Sequence, residues 1–236
     1  MTTLATTLKD AGRRLYARWL RLAPGSQVRV SGQGHTVRWN DARLHRCRIS
    51  ITGTNNLLVI GRGAVLWGTR IELTGRNLIC RIGADTRLRG GTCVVTDAHS
   101  WLEIGERTTM MGATLVAQGG GGITFGRDCM VAYGTDVRSS DGHSVIDTLT
   151  GEAINPAADI LIGNHVWLSV HSQVLKGVVI GDQAIVAARA VVTRPVPAGT
   201  IVAGNPARPV RAGVTWDRRR PPAAGPNRPS HATLPF

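Results

Sequence analysis

With 236 residues, 42% hydrophobic content and no apolar run near twenty residues, the chain is expected to bury one sizeable core as a soluble globular or repeat protein. Its 28 Lys and Arg against 15 Asp and Glu leave a net charge of +13, which calls for an anionic partner such as an acidic substrate, a phosphate-bearing ligand or a membrane surface. Nearly all of that charge is arginine spread along the chain, so a dedicated nucleic-acid face is not indicated.

Cys47, Cys80, Cys93 and Cys129 form no C-x-x-C pair and no cluster with histidine, which argues against a zinc knuckle or redox motif and for free thiols in a reducing cytoplasm. Aromatic residues make up only 4%, so the core should consist of small and branched side chains.

Residues 3 to 22, TLATTLKDAGRRLYARWLRL, carry Leu4, Leu8, Leu15, Trp19 and Leu22 at near-helical spacing with basic residues between them. The pattern predicts a basic amphipathic helix over 1–24. It would cap the following domain or lie on anionic lipid.

From about residue 27 an apolar residue followed by glycine recurs: Ile60-Gly61, Ile82-Gly83, Ile104-Gly105, Phe125-Gly126, Ile162-Gly163 and Ile180-Gly181. Four residues after each apolar member stands a small or β-branched one (Ala64, Thr86, Thr108, Cys129, Val166, Ala184), and six after it another apolar one (Leu66, Leu88, Met110, Val131, Leu168, Val186). A second hexad continues with Thr92, Thr114, Thr135, Ser172 and Ala190 at the next small position. A period of 3.6 does not keep apolar residues in phase at six, whereas a coil with three flat sides does. Three hexads give the 18 residues from Ile162 to Ile180, which predicts a parallel β-helix of triangular section. The inward positions must be small because three faces converge on a narrow axis.

These hexads resemble those of the left-handed β-helix acyltransferases. Residues 162–211, which end in Gly204-Asn205-Pro206-Ala207, are similar throughout to the C-terminal coils of sugar O-acetyltransferases. The resemblance implies an all-β, left-handed β-helix over 25–211, assembled as a homotrimer with active sites between subunits. It also implies transfer of acetyl from acetyl-CoA, with no metal, in the cytoplasm or at the inner face of the membrane. After it, residues 212–236 are rich in Pro, Ala and Arg and are expected to form a flexible tail.

The remaining repeat spacings are 22, 22, 21 and 37. Excesses of three or four over 18 read as small corner loops. The last one predicts an excursion over about 139–159, beginning SSDGHSVID, and loops on a rigid scaffold are where functional groups concentrate. Acetylating a sugar hydroxyl needs a base to take its proton, and histidine titrates in the right range. Of seven histidines, His143 lies in the excursion and matches the place of the family's catalytic histidine; the alternative is that it merely ties down its loop. Asp141 is a candidate orienter of that ring, although Asp141-Gly142 is also a plain turn dipeptide. Trp167, between inward Val166 and Leu168, should point outward beside the histidine loop, shielding the thioester or packing in a subunit contact.

For acetyl-CoA the resemblance implies Ala188 along the pantetheine arm, with Thr193, Arg194, Arg208 and Arg211 toward the phosphates. Ser169 and Val170 depart from the glycine and small residue that commonly follow the tryptophan, and Arg194 replaces a lysine. The phrase Ser139 to Pro156 resembles in particular enzymes that modify capsular, lipopolysaccharide or polysialic-type glycans, and an acidic glycan acceptor suits the basic charge. The competing expectations are a non-catalytic β-helical scaffold or glycan-binding protein, N-acetyl transfer to an amino sugar, and a zinc lyase using His99, His143, His165 and His171.

Overall fold

The computed structural model describes residues 25–220. The helix expected over 1–24 and the tail beyond 220 lie outside the described residues. Within them every regular element is a β-strand, arranged in three sheets of eight, seven and nine strands. Apart from the closing strand, neighbouring strands in each sheet are parallel and one coil apart, so the faces run the length of a left-handed triangular β-helix. The first face begins at Gln27–Gln33, the second at Thr36–Trp39 and the third at Arg43–His45.

The hexad pattern accounts for this. All six residues at the small position (Ala64, Thr86, Thr108, Cys129, Val166, Ala184) are fully buried, and the apolar residues two places on are at most 5% exposed. Removing an aliphatic side chain of this size from water contributes about 1.5–3 kcal/mol, and the columns repeat it coil after coil. The core is built from Ile, Leu, Val, Ala and Cys, with Phe125 its one large ring. All four cysteines are buried and unpaired there, and burial pushes the Cys93 thiol up to about 12.

Two details differ from the spacing argument. The extra residues of the early coils do not form corner loops. They lengthen the strands, to seven residues on the first face (Arg48–Thr54, Arg70–Arg76, Thr92–Ala98) and four on the second, against two in the last coils. Thr92 and Thr114 are half-buried and do not hold the inward position. Gly91 and Ala113 stack there instead, in a column with Thr69 and Thr135. The reason is a corner shorter by one residue: Thr69, Gly91 and Ala113 follow Leu66, Leu88 and Met110 by three positions, whereas Thr135, Ser172 and Ala190 follow Val131, Leu168 and Val186 by four, which shifts the register by one.

The long first-face strands bend at Gly32, Gly53 and Gly75. At Gly53, with φ of 112°, an added Cβ would fall 1.9 Å from the carbonyl oxygen of Gly75 one coil on. Only glycine meets both demands. The chain ends its winding by folding Ala207–Ala212 back antiparallel on Thr200–Gly204, which covers the last third-face edge.

We predict that Gly53→Ala destabilises the protein by more than about 1 kcal/mol, since it adds both a steric conflict and an unfavourable φ. A thermal melt of the variant that superimposes on the parent would contradict the close stacking at this bend.

Candidate active site

The excursion spans residues 139–159, between the strands Asp136–Arg138 and Ile160–Ile162. It leaves the corner between the first and second faces. Its base is closed by the N–H of Ala158 donating to the carbonyl of Ser139 at 2.9 Å. Ser139 is itself fully buried, and its hydroxyl accepts from the N–H of Gln118 at 3.0 Å. Further out, an antiparallel bridge between Ile146 and Ala153 makes the segment a hairpin. Asp147 forms its tip, accepting the N–H groups of Leu149 at 2.8 Å and Thr150 at 3.0 Å. Those bonds hold its carboxyl below the usual carboxylate range.

His143 is exposed and lines an open cleft of about 270 Å³. Its own loop supplies Ser144 and Asn155, while Asp97, Gln118 and Gly119 from the preceding coils form the opposite wall. Among the described residues no hydrogen bond reaches the imidazole. Both ring nitrogens are therefore open to a substrate in the cleft, as an external base requires.

Asp141 does not orient the imidazole. Its Oδ2 accepts from Lys176 Nζ at 2.5 Å and from Asn155 Nδ2 at 2.7 Å. The lysine first, and then the amide, hold its carboxyl below the usual range. The same Asn155 amide donates to the carbonyl of His143 at 2.9 Å, and its Oδ1 accepts the N–H of Val145 at 2.6 Å. Asp141 thus braces the backbone around His143. Neither Asn155 nor Lys176 stood out in the repeat pattern, although Lys176 is the only lysine after Lys9 in a chain rich in arginine.

Trp167 points outward, between buried Val166 and Leu168, but on the third face. The protomer therefore does not bring it to the His143 loop, which leaves the first face. Its neighbour is Trp216, at 6.3 Å between ring centroids. Trp216 also corrects the expected tail from residue 212: it is only 7% exposed. Its ring stacks on His165 at 4.1 Å, its indole N–H donates to the His165 carbonyl at 2.7 Å, and His165 Nε2 meets the Trp216 carbonyl at 2.9 Å. His165 Nδ1 lies 2.7 Å from Asp128, which Arg218 also grips at 3.0 Å. Partial burial works against ionising Asp128, yet the bonds from His165 and Arg218 hold its carboxyl below the ordinary value.

His35 and His171 have local partners as well. His35 is buried, with its ring between the N–H of Asn56 and the carbonyl of Ser31, and His171 stands edge-on to Tyr133.

Ala188, Thr193, Arg194, Arg208 and Arg211 are all exposed. The register of Val174 with Val192 puts Thr193 and Arg194 one coil beyond Leu175 and Lys176, at the corner the excursion leaves. Ala188 lies on a different corner, one coil beyond Val170, and Arg208 and Arg211 lie on the closing antiparallel strand. One protomer therefore offers these cations at the same end of the β-helix but does not gather all five residues into one cleft.

Residues 159–194 match the family described as bacterial transferase hexapeptide (six repeats). These coils of the chain therefore carry hexapeptide repeats. Its fold is similar to the crystal structure of the polysialic acid O-acetyltransferase OatWY, with a TM-score of 0.79 and 28% identity over 86% of this chain and 97% of that one. The polySia-specific acetyltransferase NeuO gives 0.76 at 28% identity, over 86% and 93%. In sequence, the chain is 34% identical over 96 residues to the polysialic acid O-acetyltransferase of Escherichia coli O1:K1 / APEC, covering 41% of this chain and 31% of that protein. It is 46% identical over 57 residues to the Neisseria meningitidis polysialic acid O-acetyltransferase, covering 24% and 26%. The matched sequence thus spans about a third or less of these curated relatives.

Trp216→Ala should lower the melting temperature and expose residues 212–220 to limited proteolysis, because truncating a buried tryptophan typically costs about 3–5 kcal/mol. A depressed carboxyl contributes stability that is present above its unfolded value, near 3.9, and is lost as pH falls through its folded value. Between about pH 5 and pH 3 the parent should therefore lose more stability than Asp128→Asn. Parallel pH profiles of the two melting temperatures would contradict the contribution of Asp128.

Proposed function

We propose that the protein transfers acetyl from acetyl-CoA to a hydroxyl of an acidic polysaccharide or its precursor, with His143 as general base. The observation that carries this reading is the likeness to two polysialic acid O-acetyltransferase structures over nearly their whole length, combined with an unpartnered histidine in the one large excursion of the β-helix. The acceptor hydroxyl attacks the thioester carbonyl carbon as an imidazole nitrogen takes its proton. The tetrahedral centre then collapses, the C–S bond breaks, and CoA leaves as the thiol with the proton returned to sulfur. No covalent enzyme intermediate is needed.

Arg194, Arg208 and Arg211 have no ion-pair partner among the described residues, which leaves them available to the phosphates of the nucleotide. Trp167 belongs to the reaction only if it comes from a second chain, since its own protomer places it on another face. A trimer with sites between neighbours would provide this. The exposed apolar side chains of the hairpin, Leu149 at 95% and Ile154 at 60%, suit such a contact. We place the protein in the cytoplasm, where four unpaired buried thiols are at home, with the N-terminal segment as its membrane contact.

His143→Ala should lower kcat by about 10²- to 10⁴-fold with little change in KM for acetyl-CoA, the span associated with losing a positioned base. Arg208→Ala and Arg211→Ala should instead raise that KM. The measurement is transfer from acetyl-CoA to a panel of acidic oligosaccharides that includes polysialic acid, read by mass spectrometry. An unchanged kcat in His143→Ala would remove the base assignment, and equal kcat losses in all three variants would misplace the phosphate end.

A further inference from the structure

We propose that Lys176 is a positioning residue for the chemistry at His143, acting through a lock with Asp141 and Asn155 that joins the excursion to the following coil. The inference rests on the reading of His143 as the base.

His143 sits on a hairpin whose imidazole has no hydrogen-bond partner among the described residues, so the backbone must place the ring. That backbone is held at two points by Asn155, through the carbonyl of His143 and the N–H of Val145. Asn155 is held in turn by Lys176. The ammonium donates to the Asn155 carbonyl at 2.9 Å and to Asp141 Oδ2, the same oxygen that accepts from the Asn155 side chain.

Lys176 follows the strand Gln173–Val174, on the rigid coil beyond the excursion, and its side chain is only 21% exposed. Five of the other surface ion pairs are short-range: four join residues one or two apart in sequence (Arg70 and Glu72, Arg107 and Glu106, Arg138 and Asp136, Arg219 and Asp217), and Arg81 and Glu103 are one coil apart. Lys176 and Asp141 are separated by 35 positions and tie a loop to the scaffold.

The residue type fits the task. An ammonium is a compact point charge with three donors, able to serve a carboxylate and a carbonyl at a single point, whereas a guanidinium presents a wide planar fork. Every other basic residue after Lys9 is arginine, and the one lysine stands where three acceptor and donor groups converge. The anion of Asp141 keeps the ammonium between the two arms of the hairpin, and Asn155 passes that constraint to the His143 main chain. Without the cation the hairpin keeps its own bridge and turn but loses its anchor to the next coil. The imidazole then samples positions away from the attacking hydroxyl, and misplacement on the order of 1 Å costs up to about 10²-fold in rate.

The test uses the full-length protein with acetyl-CoA and an acidic oligosaccharide that the parent acetylates. Lys176→Met and Asp141→Ala should each lower kcat by roughly 10- to 100-fold, leave KM for acetyl-CoA unchanged, and leave the pH midpoint of kcat where the parent has it. The double variant should be no worse than the worse single one, because both remove the same lock. Lys176→Arg, which keeps the charge, should recover part of the rate. Melting temperatures should stay at the parent value, since an ion pair whose carboxylate is half exposed adds little to global stability.

Parent-like kcat in Lys176→Met, or multiplicative losses in the double variant, would overturn the lock while leaving the base in place. Full activity in His143→Ala would overturn the base reading itself, and the role given to Lys176 with it.

Discussion

Every coil of this protein must superpose on the next at a strand spacing of about 4.8 Å, and that single requirement decides what each position can hold. A side chain pointing inward meets its counterparts from two other faces and from the coils above and below. Bulk at one coil is therefore paid for by its neighbours. The buried columns accordingly contain Ala, Thr, Cys and Val at the convergent positions and Leu, Met and Val two residues on. The bends of the long first-face strands obey the same rule in the backbone, where glycine stacks on glycine because nothing else clears the carbonyl one coil away. Stacking also leaves almost no interior in which to build a cleft, so chemistry has to be assembled from corners and excursions.

The two polar clusters outside the stack show how such additions are fixed. One pins residues 213–219 to the third face through Asp128, His165, Trp216 and Arg218, and it combines ring stacking and burial with charge. The other, Asp141 with Asn155 and Lys176, is more exposed and lacks an apolar component. The first resembles a small extension of the core and suits a permanent attachment. The second contributes little to holding the fold together but fixes the geometry of one hairpin, which is what a positioned imidazole requires.

The repeat, the three-sided section and the excursion around His143 were legible in the sequence because each leaves a periodic trace or interrupts one. What escaped was whatever depends on contacts between distant positions. The register of Gly91 and Ala113 against Thr92 and Thr114 turns on a corner shorter by one residue, which a fixed hexad template cannot register. Trp216 sits in a segment whose composition reads as a tail, and its burial follows from a histidine 51 positions earlier. Asp141 was visible as a carboxylate beside a histidine, but its partner is a lysine on the next coil, so proximity in sequence pointed to the wrong group. The unusual lysine itself was in plain view as a compositional exception, a signal that counting lysine and arginine together conceals.

The separation of faces has a consequence for how a reaction could be completed. A triangular β-helix is stiff across its section: its faces are joined by hydrogen-bonded corners and filled by interlocked side chains, and one face cannot fold toward another. His143 leaves the corner between the first and second faces, Trp167 stands on the third, and the exposed arginines occupy the C-terminal coils and closing strand. No bending of a single chain gathers these groups around one thioester. Any reaction that uses His143 together with Trp167 must therefore join the excursion of one chain to the third face of another, and the exposed apolar residues of the hairpin lie where such a junction would bury them. With His143 as the proposed base, such a junction would link assembly and catalysis through the same hairpin. The anchor that holds the His143 backbone would then also present the hairpin to a neighbouring chain.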